Sequence, residues 1–294
     1  MLLALASAVA MTAAQQIDTT VAVAQGQRLQ VNAYGGDVAV QAWARNAVRV
    51  EAKASGGVRI QISVSGPVVS VRTEGRHGPP TEADLRISAP AWMALTLSGV
   101  HTNVKVLGSR APISVETVEG EVDVNGGDGL ISLRSVQGEV KLQGAKGRIK
   151  INSVNEDVGV ANSSGEIAME TVNGEIMLDR VDAVSVDAST VNGDITYDGP
   201  IRNGGRYALS THNGDITLTV AEGTNASVAV STFNGEFESE FPVPLSGTRK
   251  GKGFSFTLGQ GSAQVGLDSF QGTIRLIRPG SREAERRGRN HDHE

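Results

Sequence analysis

Cysteine is absent from this chain of 294 residues, and aromatic residues make up only 4% of it. Without cysteine there is no disulfide, no thiol nucleophile, no cysteine-based zinc site and no cysteine for attachment of a lipid. Because aromatic residues are scarce, small and β-branched aliphatic side chains must fill the core. A formal net charge of −5 argues against nucleic-acid binding, which requires a basic face.

Helical periodicity and catalytic motifs are lacking as well. No window shows a sustained apolar period of about 3.6 residues, so we expect no helices. Neither a G-x-S-x-G nor an H-E-x-x-H motif occurs. His212 occupies a position of the repeat described below, and we expect it at the edge of the core rather than in a catalytic site. We therefore predict that the protein is not an enzyme and holds no cofactor other than weakly bound Ca²⁺.

What the sequence does contain is a repeat. Seven motifs read TVEGEV, SVQGEV, SVNEDV, TVNGEI, TVNGDI, THNGDI and TFNGEF, and their fourth residues stand at 120, 138, 156, 174, 193, 214 and 235. The steps are therefore 18, 18, 18, 19, 21 and 21 residues, which indicates a stacked repeat architecture. The repeat residues to which we assign a structural role are Gly120, Gly138, Gly174, Gly193, Gly214, Gly235, Asn173, Asn192, Asn213 and Asn234.

Within each repeat, apolar and polar residues alternate, as at Val122 and Val124, which is the pattern of a strand with one buried face. Two topologies fit this pattern. Asn-Gly between apolar runs is a hairpin signal and allows an antiparallel meander. A parallel β-solenoid of about 18-residue coils instead stacks like residues about 4.8 Å apart, and so explains the Thr/Ser column and the amide column. We predict an all-β fold built on this solenoid, because a meander without helices leaves one apolar face uncovered.

The register of the coils carries three further expectations. The anchor glycines, such as Gly174, are expected to need a positive φ at a corner. The residue two places before each anchor, such as Val172, is expected to be buried. The small additions in the later coils are expected at the corner opposite the Asn-Gly corner.

The regions around the repeats differ from them. Residues 1–14 are apolar and rich in small residues, and we interpret them as a signal peptide, the alternative being a buried or disordered N-terminus. Residues 15–97 are predicted to form an irregular, partly antiparallel β segment. Residues 98–277 hold the solenoid repeats and a closing coil, in which residues 254–258 and 269–274 resume the repeat. Residues 278–294 are charged and are predicted to form a disordered tail.

The TVNG[ED][IV] repeats, preceded by an N-terminal β segment, resemble the DUF4097 family of adhesin-like β-strand-repeat proteins from bacterial envelopes. The resemblance covers about residues 17–277. Its motif is structural and carries no catalytic residue. Together with the signal peptide, it implies a periplasmic or extracellular protein with no transmembrane segment in the mature chain.

A row of acidic residues is the strongest candidate for a functional site. The residue after each anchor is acidic, and stacked coils would align these carboxylates about 5 Å apart. Hard divalent cations prefer oxygen ligands, so we predict weak Ca²⁺ binding, the alternative being a solvated face. The row comprises Glu121, Glu139, Asp157, Glu175, Asp194, Asp215 and Glu236.

These observations favour a monomeric, non-enzymatic, exported β-solenoid that acts as an envelope-associated scaffold or adhesin-like binding surface. The partner is an unknown envelope protein or glycan. One alternative is a polysaccharide-active β-helix enzyme such as a lyase, which needs carboxylates with a Lys or Arg base on one outward strand face. The outward positions Asp123, Lys141 and Thr196 show no such pattern. Another alternative is a protein associated with an envelope-stress sensor.

Overall fold

The computed structural model describes residues 15–54, 58–75, 82–243 and 253–281. These ranges fold into β-strands, and within them no helix is long and apolar enough to cross a membrane. The predicted signal peptide lies outside the described residues. The predicted tail also lies outside them from residue 282 onward.

The strands fall into three groups along the chain. The N-terminal group is β1 (Gln15–Ala22), β2 (Arg28–Asn32), β3 (Gly35–Trp43), β4 (Ala47–Ala54), β5 (Val58–Ser65), β6 (Val68–Gly75), β7 (Ala83–Pro90) and β8 (Ala94–Ser98). The coil group is β9 (His101–Ser109), β10 (Ile113–Glu116), β11 (Val122–Gly126), β12 (Asp128–Arg134), β13 (Val140–Gln143), β14 (Lys146–Asn152), β15 (Val158–Ala161), β16 (Ser164–Glu170), β17 (Ile176–Asp179), β18 (Asp182–Asn192), β19 (Ile195–Tyr197), β20 (Arg206–Asn213) and β21 (Ile216–Thr219). The closing group is β22 (Ala226–Asn234), β23 (Phe237–Ser239), β24 (Phe254–Leu258), β25 (Ala263–Gln271) and β26 (Ile274–Ile277).

All these strands belong to two sheets of 13 strands each. Sheet A has the spatial order β1-β4-β7-β3-β9-β11-β13-β15-β17-β19-β21-β26-β23. Sheet B has the order β24-β22-β25-β20-β18-β16-β14-β12-β10-β8-β2-β6-β5. From β10 to β23 the chain alternates between the two sheets, so each coil gives one strand to each, and the predicted parallel β-solenoid is confirmed.

In-register stacking explains the core. Val122 pairs with Val140, Val140 with Val158 and Val158 with Ile176, so equivalent residues lie above one another. All four side chains are buried between the sheets. Each aliphatic side chain removed from water in this way contributes about 1.5–3 kcal/mol, which allows a core with few aromatic residues to hold the stack together.

The N-terminal segment is joined to the coils by parallel pairing and ends in antiparallel strands. β3 pairs in parallel with β9, and β8 with β10. At the far end β1 pairs antiparallel with β4, β4 with β7, and β5 with β6. The expected irregular, partly antiparallel segment is therefore confirmed. These strands cover the sheet edges that the parallel coils would otherwise expose.

The closing coil does not lie at the end of the stack, which corrects the expected order. β25 pairs with β20 on one side and β22 on the other, and β26 lies likewise between β21 and β23. The coil of residues 263–277 is thus inserted between two coils that precede it in sequence. β24 (Phe254–Leu258), which we expected to form part of the closing coil, instead pairs antiparallel with β22 and covers that edge of sheet B. The coil of β22 and β23 and the coil of β25 and β26 both carry the repeat pattern, so the pattern does not determine which of them stacks next to β20 and β21.

The additions in the later coils lie at the corner opposite the Asn-Gly corner, as expected. Residues 198–205 connect β19 of sheet A to β20 of sheet B, and residues 220–225 connect β21 to β22. A smaller irregularity at Val184 shifts the register where β18 begins. The Asn-Gly corner is therefore free of insertions from coil to coil.

The expected conformation of the anchor glycines is wrong for several of them. Gly120 and Gly138 have positive φ values of 133° and 134°, but Gly174, Gly214 and Gly235 do not. What the anchors share is close approach, since a Cβ on any of them would overlap a backbone carbonyl oxygen of the neighbouring coil. At Gly174, Gly214 and Gly235 the stacking distance, rather than a left-handed turn, favours glycine.

The expected burial of Val172 is also wrong, because its side chain is 40% exposed. The inward side chain of this corner is the preceding Thr171, which is 2% exposed. Its hydroxyl donates a hydrogen bond to the backbone oxygen of Glu156 in the neighbouring coil (3.3 Å). A short hydroxyl side chain can donate a hydrogen bond to that carbonyl oxygen from inside the corner. The hydroxyl residue therefore takes the inward position, and the apolar residue that follows it faces outward.

Candidate binding surface at the corner

The outward residues at the Asn-Gly corner form one continuous column, apolar except at His212, which we call the corner row. Backbone hydrogen bonds join its rungs, for example from Asn192 N–H to Val172 O (2.8 Å) and from Asn173 N–H to Val154 O (2.8 Å). With rungs about 4.8 Å apart, the row is about 40 Å long. In spatial order it comprises Val100, Val118, Val136, Val154, Val172, Val191, His212, Phe270 and Phe233.

Three aromatic rings end the corner row. His212 and Phe270 stack with ring centroids 4.6 Å apart and an angle of 6° between their planes. Phe270 and Phe233 stack at 4.9 Å and 4°. Phe233, in the outermost coil of the row, is the most exposed ring at 59%. The inserted closing coil creates this stack, because it places Phe270 between two rings that precede it in sequence. The expectation that His212 lies at the core edge is therefore wrong.

An amide column runs beside the corner row, as the repeat predicted. Asn173 Nδ2 donates to Asn155 Oδ1 (3.0 Å), Asn192 Nδ2 to Asn173 Oδ1 (2.8 Å), and Asn213 Nδ2 to Asn192 Oδ1 (2.7 Å). Asn213 then pairs with Gln271 and Gln271 with Asn234 in the backbone register. The amides therefore support one another from coil to coil on the outer surface.

Sheet pairing also aligns the predicted acidic row, which we call the acidic column. Its contiguous members are Glu121, Glu139, Asp157, Glu175, Asp194 and Asp215, each next to the following one in the register. Glu236 is separated from Asp215 by Thr273 of the inserted coil, which corrects the expected continuous row. At the other end the column continues through Asn103 to Asp37 and Asp84.

The shorter members of the acidic column bind the backbone of the neighbouring coil. Asp157 Oδ1 accepts the N–H of Glu175 (2.7 Å), and Asp194 Oδ1 accepts the N–H of Asp215 (2.8 Å). Asp215 Oδ1 in turn accepts the N–H of Thr273 (2.7 Å), and its Oδ2 lies 2.6 Å from Arg275 Nη1. Part of the column therefore has a structural role that the sequence analysis missed.

A shallow groove of about 420 Å³ lies on the outer face of sheet A beside the acidic column. It exists because Gly159 carries no side chain between the outward residues Lys141 and Met177. Its carboxylates include Glu139, whose Oε2 lies 2.8 Å from Lys141 Nζ. From the sequence we expected no grouping of carboxylates with a Lys base on one outward strand face. The groove brings such groups together. The carboxylates that line it are Asp123, Glu139, Asp157, Glu175 and Asp179.

Asp179, at the edge of this groove, has an altered acidity. Burial raises the pKa of its carboxyl above the ordinary value, the nearby Asp198 adds to this rise, and Arg180 opposes it. Among the residues that the structure describes, no three acidic or histidine side chains converge closely enough to hold a metal ion. The Ca²⁺ row remains a prediction, and an ion there would bridge carboxylates of neighbouring coils.

The two long sheets and the repeated corner define a parallel β-solenoid with a linear outer surface. The chain belongs to the Toastrack DUF4097 family, whose model matches residues 5–276. No curated protein matches the chain.

Several solved structures resemble the chain. One, from Bacteroides fragilis and provisionally described as an adhesin, is 14% identical with a TM-score of 0.45, the match covering 90% of this chain and 99% of that one. A second, from Clostridium sporogenes and provisionally described as a cell adhesion protein, is 10% identical with a TM-score of 0.25 (90% and 100% covered). A third, from Parabacteroides distasonis and provisionally described as a lipid-binding protein, is 11% identical with a TM-score of 0.33 (90% and 96% covered).

Proposed function

We propose that this protein is an exported, non-enzymatic scaffold of the bacterial envelope that binds a partner along the corner row. The observation that carries the proposal is the alignment of outward apolar side chains along the corner row, of which Val118, Val172, Val191, Phe270 and Phe233 are exposed. Scattered exposed apolar residues are normal, but a continuous apolar strip on a folded protein is typical of an interaction surface. Membership of the DUF4097 family agrees with the placement in the envelope.

The corner row is not needed to close the core. Thr or Ser occupies the inward position at this corner, and the hydroxyls of Thr190 and Thr211 donate to the backbone oxygens of Gly174 (3.1 Å) and Gly193 (2.9 Å). A polar outward residue would leave these hydrogen bonds intact. The hydrogen bonds of the corner therefore do not require an apolar outward residue, and binding supplies a reason for one.

Co-sedimentation of the purified full chain with isolated envelope fragments tests the proposal. The corner-row variant carries Val172→Ser and Val191→Ser, and the matched control carries Leu130→Ser and Val184→Ser on sheet B. All four residues are exposed, so both variants should keep their unfolding free energy within about 1 kcal/mol. We expect the wild type and the control to sediment with the envelope, and the corner-row variant to lose most of its binding. Equal binding by both variants would refute the role of the corner row.

A second candidate function rests on the groove beside Gly159. Carboxylates and Lys141 on one outward face are the groups that a polysaccharide lyase needs. Against this, the Lys141 side chain is 64% exposed and ion-paired with Glu139, so its ammonium is well solvated and not poised as a base. Incubation with acidic polysaccharides, followed by absorbance of unsaturated products, tests this candidate. Product that forms with the wild type but not with Lys141→Met would support the enzyme and oppose the scaffold.

A further inference from the structure

The corner row lies between carboxylates on both sides. On the sheet A side the acidic column runs parallel to it, and the positions between them hold amides, glycines and the carboxylates Glu119 and Glu156. On the sheet B side the nearest outward column contains Glu170 and Asp268. Arg134 is a basic residue of that column, and it lies 3.9 Å from Glu116. The strip is therefore bordered by many carboxylates on the sheet A side, where Lys141 and Arg275 pair with two of them, and by fewer on the sheet B side, where Ser and Asn fill the other positions.

This charge pattern disfavours two occupants. A second copy of the chain placed row against row would bring the acidic column of one molecule close to carboxylates of the other. An anionic membrane surface would meet the same repulsion. A partner with positive charge beside its apolar surface gains from both features instead.

The geometry of the aromatic rings also disfavours a neutral sugar. Sugar rings bind aromatic side chains across the ring face. In the corner row, however, the rings of His212, Phe270 and Phe233 stack on one another with centroids 4.6 and 4.9 Å apart. Their facing surfaces are covered, so apart from the outer side of Phe233 the row presents ring edges and valine methyl groups. Such a surface suits aliphatic side chains.

The spacing of the row fits a helix. An α-helix repeats its apolar stripe about every 5.4 Å, close to the rung spacing of about 4.8 Å, whereas side chains on one face of an extended strand recur about every 6.6 Å. The acidic column stands three residues beyond the corner row in each coil, on the other side of the turn, and therefore lies within about 10 Å of it, which does not exceed the width of a helix. Basic residues flanking the apolar stripe would therefore reach the carboxylates.

We propose that the corner row binds a basic amphipathic α-helix of a partner protein. The helix axis lies parallel to the corner row and crosses successive coils. Its apolar stripe contacts the valines of the row, and its Lys or Arg side chains pair with the acidic column. A helix of about 18 residues is about 27 Å long and would cover about six coils. This inference rests on the proposed function and gives the partner its chemical class.

Fluorescence anisotropy with a labelled helical peptide of Leu and Lys, about 18 residues long with one Leu stripe flanked by Lys, tests the inference on the full chain. A scrambled peptide of the same composition controls for charge alone. The variants are Val172→Ser with Val191→Ser, and Glu175→Gln with Asp194→Asn, which removes charge but keeps an acceptor for the Asp215 N–H. The matched control, Asp128→Asn with Asp187→Asn, removes the same charge from sheet B.

We expect the dissociation constant of the striped peptide to rise roughly tenfold in each of the two test variants and less than about threefold in the control, with the scrambled peptide binding roughly tenfold more weakly. The inference is overturned if both peptides bind with similar affinity, or if the control variant loses as much affinity for the striped peptide as the test variants do. Either result would show unspecific charge attraction. If the striped peptide does not bind while envelope binding still depends on the corner row, the basic-helix partner is wrong and the proposed function stands. If neither peptide binding nor envelope binding depends on the corner row, both the inference and the proposed function are wrong.

Discussion

The Cα of Gly174 lies so close to the backbone of Glu156 in the neighbouring coil that a Cβ there would overlap the Glu156 carbonyl oxygen. Gly159, in β15 of sheet A, has nothing within 4 Å of its Cβ position. We predict that Gly174→Ala lowers the free energy of unfolding by about 1–3 kcal/mol, because the backbones of the two paired coils cannot move apart to accommodate the added Cβ. Gly159→Ala should raise it by about 0.4–1 kcal/mol by restricting the unfolded chain. Urea unfolding measures both changes, and effects of the same sign would contradict the stacking geometry.

The outward position of Val172 gives a second prediction. Val172→Asp should change the free energy of unfolding by less than about 1 kcal/mol, because the carboxylate remains in water. Val158, in the neighbouring coil, is 1% exposed, and Val158→Asp should cost more than about 3 kcal/mol by burying an unpaired charge. Thermal unfolding of the two variants distinguishes the two sides of the coil. A large loss of stability in Val172→Asp would contradict the outward position and support the register in which that residue is buried.

The amide column predicts a graded response. Asn192 donates to Asn173 and accepts from Asn213, whereas Asn155 accepts from Asn173 at the beginning of the hydrogen-bonded series. Each net hydrogen bond contributes about 0.5–1.5 kcal/mol. Asn192→Ala should therefore destabilise the chain about twice as much as Asn155→Ala in urea unfolding. Equal and negligible effects would mean that water replaces the amides without loss.

The acidic column remains the predicted site for divalent cations. Carboxylates on neighbouring coils repel one another, and an ion that bridges them relieves this repulsion. Millimolar CaCl₂ should raise the melting temperature more than NaCl of the same ionic strength. Glu175→Gln with Asp194→Asn should reduce that difference, while Asp128→Asn with Asp187→Asn should not. If NaCl reproduces the whole rise, ordinary screening explains it and the column holds no ion.

Much of the fold could be predicted from the sequence because the solenoid repeats its own register. The spacing from Val122 to Val140 to Val158 defines coils of equal length, and their alternation defines the buried face. The order of the last two coils could not be predicted, since TFNGEF and SFQGTI both fit the same columns. Sequence order then suggests the wrong neighbours for Asp215.

The candidate site was harder to predict than the fold. The sequence analysis placed the apolar residue of each corner inside, because alternation is a reliable guide only within a strand. At the corner the chain turns, and the hydroxyl of a residue such as Thr211 satisfies a backbone carbonyl from within. The signal that was missed is His212, a polar aromatic residue at the same repeat position as Val172 and Val191. A histidine there indicates contact with water.

The chain has no cysteine, so a single introduced cysteine gives a unique reporter of which surface the partner covers. Val191→Cys places a thiol on the corner row, and Val184→Cys places one on sheet B at a similarly exposed position. The measurement is the rate of alkylation by iodoacetamide with and without saturating envelope fragments. The account predicts that the envelope slows alkylation at position 191 by roughly fivefold or more and leaves position 184 unchanged. Unchanged alkylation at position 191 while the protein sediments with the envelope would contradict it.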